Sequence, residues 1–138
     1  LGGLVLKTYE GTWDELPEFS TETPNTQSHV ESILEAPEQE FVAWTFDGYL
    51  DIDADAMYEF ALTSDDGSRL IINDTVVIDN DGLHGTQEKK GSAPLAKGIH
   101  RFQVEWFNKA GGASLQVRIG LLGGVLKPVT ASSFAVNK

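Results

Sequence analysis

Thr63 to Asp74, T-S-D-D-G-S-R-L-I-I-N-D, decides how the rest of the chain is read. An apolar run, Met57–Leu62, leads into it, and Leu70-Ile71-Ile72 resumes the pattern after it. Two adjacent carboxylates followed by glycine are poor core material. Asp is depleted in strands, and Gly takes backbone angles that other residues resist. Asp65-Asp66-Gly67 therefore marks a break between two strands, and two readings fit it. One is a hydrated hairpin turn. The other is half of a calcium site, because calcium is a hard cation that takes carboxylate and carbonyl oxygens.

On both sides of this break the apolar pattern has a period of two. Val42, Trp44 and Phe46 alternate with Ala43, Thr45 and Asp47, and Tyr58, Phe60 and Leu62 alternate with Glu59 and Ala61. The pattern recurs at Phe102, Val104 and Trp106, and again at Leu115, Val117 and Ile119. Such alternation predicts half-buried strands, with Trp44 and Trp106 in the core. Leu4-Val5-Leu6 with Tyr9 makes a first strand. Leu70–Ile72, the turn Asn73-Asp74 and Val76–Ile78 read as a hairpin, and Ser92–Leu95 as a short strand before the turn at Lys97-Gly98. Many short strands with almost no helical periodicity predict an all-β, antiparallel β-sandwich or barrel. The segment from Asp14 to Glu40 reads as one long irregular loop, either functional or pinned by anchors such as Trp13, Leu16 and Phe19, with a short helical turn around Val30–Leu34.

Composition narrows the function classes. The chain has 138 residues, enough for a single self-sufficient domain spanning 1–138, and 41% of them are apolar. A net charge of -11 opposes binding to nucleic-acid phosphates or anionic lipid and favours cations. The absence of cysteine removes disulfides, zinc–thiolate sites and thiol catalysis. No apolar run approaches the ~18 residues of a membrane span, so no membrane insertion is expected. The chain opens Leu1-Gly2-Gly3 and its single methionine is Met57, which reads as a segment of something longer or a processed chain.

Other acidic clusters are weaker candidates. Asp51-Ile52-Asp53-Ala54-Asp55 has the spacing that opens an EF-hand loop, but the places requiring Gly and Glu hold Ala56 and Leu62. It reads as a solvated turn. Turn chemistry also accounts for Asp79–Gly85. His29, His84 and His100 have no metal-site spacing, and no acid–nucleophile pair stands out, so no catalytic residue is assigned and an enzyme is not expected.

The second informative loop is Phe107-Asn108-Lys109-Ala110-Gly111-Gly112-Ala113. A polar Asn opens a glycine-rich stretch whose carbonyl oxygens are unobstructed by side chains. By itself it is also an ordinary hairpin loop. Read in order with Leu4–Tyr9, Gly11, Trp13, Leu16-Pro17, Tyr58-x-Phe60, Thr63–Ser68, Val77–Asn80 and Gly98-x-His100, it resembles the PA14 domain.

That resemblance implies an antiparallel β-sandwich with long loops, the two informative loops lying together at one end. In sugar-binding members the paired aspartates are joined by a cis peptide and hold calcium, and an Asn of the second loop completes the side-chain ligands. Carried over, the metal ligands are Asp65, Asp66, Asn108 and the backbone oxygens of Ala110 and Gly112. The carbohydrate-binding residues are Asp65, Asp66, Asn108, Lys109 and Gly111. About five protein oxygens leave one or two places in a calcium shell of about 6–8, room for a sugar's vicinal diol. Its stretch Lys109-Ala110-Gly111-Gly112, however, offers no aromatic platform for a sugar face. The resemblance thus implies a secreted or cell-surface, calcium-dependent carbohydrate-binding module for a terminal hexose or similar glycan, adjoining other domains. The rival expectation is a structural or protein-interaction domain accessory to a secreted enzyme, with calcium only stabilising it.

Overall fold

A computed structural model describes residues 3–33, 36 and 38–135. The strands are β1 (Leu4–Glu10), β2 (Thr26–Val30), β3 (Val42–Ile52), β4 (Ala56–Asp65) and β5 (Ser68–Ile72), followed by β6 (Thr75–Asn80), β7 (Gln87–Leu95), β8 (Gly98–Asn108), β9 (Ser114–Leu121) and β10 (Lys127–Pro128). Short 3-10 turns occupy Phe19–Thr21 and Ala131–Ser133, and no α-helix occurs among the described residues. All pairings are antiparallel, in a six-stranded sheet ordered β2-β1-β3-β8-β5-β6 and a four-stranded sheet ordered β10-β9-β4-β7. The all-β sandwich expected from the alternation is the observed architecture.

The period-two residues face each other between the sheets. Phe46 of β3, Phe60 and Leu62 of β4, Leu70 of β5, and Phe102, Val104 and Trp106 of β8 are fully buried there. Trp44 and Trp106 meet edge to face at 5.1 Å, a favoured aromatic geometry. A second cluster, Tyr9, Leu16, Ala43 and Phe107, with Trp13 and Phe19 packed on it, lies on the opposite face of the six-stranded sheet. It pins the segment after β1, as its three apolar anchors led us to expect.

Several local expectations are corrected. The D-D-G break is not a hairpin: β4 lies in the four-stranded sheet and β5 in the six-stranded one, so the chain crosses between layers there. The long irregular segment contains β2, whose first four residues are all exposed and therefore carry no hydrophobic period. Val30 ends that strand and Glu31–Ser32 form a bend, not a helical turn; Leu34 lies outside the described residues. The strand around Ser92 begins five residues earlier, at Gln87, where exposed charged residues mask it. The Asn73-Asp74 turn is as expected, with left-handed φ of 51° and 64° suiting a two-residue hairpin.

Three loops cross between sheets at one pole: β4–β5, β6–β7 and β8–β9. The acidic Asp53–Asp55 turn between β3 and β4 lies at the other pole, where Asp51 and Ile52 already belong to β3. A twelve-residue EF-hand loop from Asp51 would have to run through β4.

Gly67 is dictated by close approach, not by an unusual φ. A Cβ there would sit 2.7 Å from the Gly82 nitrogen and 2.7 Å from the Phe107 ring. We expect Gly67→Ala to lose about 1–3 kcal/mol in urea unfolding, the usual range for overpacking. Gly85→Ala, whose Cβ would meet nothing within 4 Å, should stay within about 0.5 kcal/mol of wild type.

Candidate metal and ligand site

The buried polar residues Ser64, Asp66, Ser68, Asn80 and Asn108 all lie toward the pole where the three loops cross. Buried polar groups are costly unless hydrogen-bonded, so their partners determine the local structure. The Ser64 hydroxyl bonds the Asp66 carbonyl at 2.8 Å and the Ser68 hydroxyl. Asn80 Nδ2 donates to the Gln87 carbonyl at 2.9 Å, and Gln87 Nε2 donates back to Asn80 Oδ1 at 3.0 Å. Trp106 Nε1 donates to the Asp65 carbonyl at 2.9 Å. Backbone bonds from Asp66 to Phe107 and from Phe107 to Gly67, each 3.1 Å, lace the D-D-G loop to the end of β8. The Asp65–Asp66 peptide is cis.

Asn108 continues the inward-facing alternation of Phe102, Val104 and Trp106, and is fully buried. Its Nδ2 donates to the Gln39 carbonyl at 2.9 Å and the Gly111 carbonyl at 3.3 Å. Carbonyls only accept, so these two partners require the amide nitrogen and turn the oxygen the other way. Asn108 Oδ1 is then the one buried side-chain polar atom without a hydrogen-bond partner among the described residues. Leaving such an acceptor unpaired costs about 1–3 kcal/mol.

The paired aspartates meet the second loop beside this residue. Asp66 Oδ2 accepts the Lys109 backbone N–H at 2.9 Å. A Cβ on Gly112 would lie 3.8 Å from Asp65 Oδ2, so that glycine faces Asp65 across open space. Burial, and then the neighbouring Asp66 carboxylate, push the Asp65 carboxyl above its ordinary value, with His84 opposing. The Gly111 carbonyl is held by Asn108, and Ala110 and Gly112 lie in the exposed part of the same loop. Among the described residues no group of three or more His, Asp or Glu side chains converges as a metal cluster. The oxygens at these two loops are instead two adjacent carboxylates and a buried amide oxygen without a partner. Mutually repelling anionic oxygens next to a partnerless acceptor fit a hard, oxygen-loving cation.

Of the residues expected at the site, Asp65, Asp66, Asn108 and Gly112 come together. Lys109 contributes its backbone, while its Nζ is paired with Asp14 at 2.6 Å. Gly111, at φ 80°, anchors the loop through both its N–H and its carbonyl. The sequence reading missed the segment before β3. Gln39 holds the Asn108 amide, Glu40 Oε2 accepts the Gly111 N–H at 2.7 Å, and the Phe41 N–H donates to the Lys109 carbonyl at 3.1 Å. Phe41 has a left-handed φ of 58° and is 48% exposed. No motif spacing signals these contacts, since two of the three use backbone atoms. Asp81 is structural: it accepts the Leu16 N–H at 2.9 Å and pairs with Arg69. His29 and His100 sit on β2 and β8, while His84, on the β6–β7 loop at this pole, acts on Asp65 electrostatically with its ring nitrogens bonded to the Gly85 and Asn80 carbonyls.

A PA14 domain family model matches residues 3–130. Among solved structures, the chain is similar to a PA14 sugar-binding domain from an RTX adhesin, at 15% identity over 99% of both chains, with a TM-score of 0.82. An anti-sigma factor domain-containing protein from Clostridium clariflavum matches at 18% identity over all of this chain and 49% of that one, with a TM-score of 0.81. The epithelial adhesin 9 A domain of Candida glabrata, in complex with Galb1-3GlcNAc, matches at 10% identity over 97% of this chain and 88% of that one, with a TM-score of 0.71. At these identities the likeness establishes the fold. No curated protein matches.

The raised Asp65 carboxyl carries a sign. Its folded-state value lies above its unfolded one, so its contribution to stability is full below about 3.8 and is lost as pH rises through the raised value. In chelator, Asp65→Asn should therefore melt above wild type at pH 7, with the gap closing as pH falls towards 3.8. Thermal unfolding across that range checks it; a gap independent of pH would contradict the electrostatic origin.

Proposed function

The chain belongs to the PA14 domain family, and on that premise we propose that it is a non-catalytic, calcium-dependent carbohydrate-binding module. Asp65, Asp66 and Asn108 would hold the ion, with backbone oxygens of Ala110 and Gly112. The observation that carries this reading is the buried, partnerless Asn108 oxygen at the loop that meets two adjacent carboxylates. When bound, calcium offers its free coordination places to two neighbouring sugar hydroxyls. The chain's own residues do the rest. Asp66 is fixed by the Lys109 N–H, Asn108 by two carbonyls, and Gly111 and Gly112 leave the approach clear of side chains. Phe41 supplies an exposed apolar surface whose backbone adjoins Lys109, where residues 109–112 of the second loop have no aromatic of their own.

Sugar binding by an RTX adhesin domain and by a Candida glabrata adhesin of the same fold supports this reading, as does their adhesive setting. The corresponding location is secreted or cell-surface. Repeated display would raise the avidity of a weak single site. A second reading has its own observation: the β4–β5 and β8–β9 loops each join the two sheets, so an ion between them would stabilise the sandwich without any glycan.

Thermal unfolding with millimolar calcium and then with chelator separates the possibilities. At a hundredfold excess over Kd, calcium should add about 2.7 kcal/mol, or roughly 5–10 °C in Tm. Asp66→Ala and Asp65→Asn should abolish the response. A wild type indifferent to calcium would remove the basis of both readings. Glycan-array binding that disappears in chelator distinguishes the first from the second. Phe41→Ala should then weaken glycan binding roughly three- to tenfold, as loss of an aromatic contact does, while leaving the calcium shift in place.

A further inference from the structure

The second loop is not held by its own sequence. Lys109-Ala110-Gly111-Gly112 includes two glycines, and its residues from Ala110 to Gly112 are exposed, so by itself it would sample many conformations. What orders it comes from some seventy residues earlier. The Glu40 carboxylate takes the Gly111 N–H in a short, charge-assisted bond of 2.7 Å. The other side of the same residue, its carbonyl, receives the Asn108 amide at 3.3 Å, and the Gln39 carbonyl receives that amide at 2.9 Å. The Phe41 N–H closes on the Lys109 carbonyl at 3.1 Å. Three bonds thus connect three consecutive residues, Gln39 to Phe41, with the loop and its Asn, and the Asn108–Gly111 bond closes the loop on itself.

We infer that Glu40 is a positioning residue: by holding Gly111 it fixes the Asn108 amide, so that Oδ1 stays turned away from Gln39 and Gly111. Of the three contacts from Gln39–Phe41, the Glu40 bond is the one to which that segment contributes a side chain, and so it can be removed without altering the backbone. Glu40 acts through Gly111 and is not itself assigned as a ligand. The effect on calcium rests on the site proposed above; the effect on the loop does not.

Three full-length variants test the assignment: Glu40→Ala removes the acceptor, Glu40→Gln keeps an amide oxygen in its place, and Asp53→Asn removes one charge at the opposite pole. In calcium-free protein, NMR should show the Gly111 amide proton and the Asn108 side-chain amide moved and exchanging about tenfold faster in Glu40→Ala, with Glu40→Gln within about threefold of wild type and Asp53→Asn unchanged. Calorimetric titration with calcium chloride should give a Kd about tenfold higher for Glu40→Ala and near wild type for Glu40→Gln. If Glu40→Ala leaves both amide signals unchanged, the assignment is overturned. Equal losses of calcium affinity in Ala and Gln variants, with unchanged amides, would also overturn it and mark a simple charge effect. Should wild type take up no calcium, the metal site itself fails, while the calcium-free spectra still decide the role of Glu40.

Discussion

At Gly67 two backbones and an aromatic ring come so close that no side chain fits between them, and the pole of the sandwich is built around that contact. The chain leaves the four-stranded sheet at Asp65, passes under the β6–β7 loop at Gly82, touches Phe107, and enters the six-stranded sheet at Ser68. Packing at close range is intolerant of added atoms. Everything adjacent is consequently fixed by hydrogen bonds: Ser64 and Ser68 beneath, Asn80 and Gln87 beside, Trp106 from within the core. The apolar interior sets the distance between the sheets, and this polar seam sets where the Asp65 and Asp66 backbone ends up.

The same rigidity preserves an arrangement that would otherwise relax. Two carboxylates repel one another, and a buried amide oxygen lacks a donor. In a softer environment a rotamer change would relieve both. Here the Asn108 nitrogen is committed to two carbonyls and Asp66 is committed to the Lys109 N–H. Locally unfavourable oxygens persist because the surroundings over-determine them, a pattern that natural proteins reserve for functional positions. Nothing comparable occurs at Asp53, Asp55, Asp79 or Asp81, which are exposed or, like Asp81, tied to Leu16 and Arg69.

The strands with a period of two were legible in the sequence, because burial on one face forces alternation: Trp44 and Phe46, Phe102 to Trp106, Leu115 and Val117 all lie where their spacing puts them. Residues Thr26 to His29 of β2 were not, since all four are exposed and leave no pattern. The D-D-G break was visible as a break, but whether the next strand returns to the same sheet is settled by pairings far away in the chain. Asp65, Asp66 and Asn108 were found through resemblance across the two loops; no local spacing connects residues 43 positions apart. Gln39 and Glu40 were hidden for a different reason. One acts through its carbonyl, which every residue has, and the other is a single carboxylate among 21 acidic residues.

Asp65 and Asp66 sit on the passage from the four-stranded to the six-stranded sheet, and Asn108 and Gly112 sit on the passage back. A cation held by both passages would therefore act as a rivet between the two layers. Tension drawn along the strands shears one layer over the other, and the rivet would have to fail before that pole could open. Occupancy of the site would then set the mechanical strength of the module as well as its chemistry.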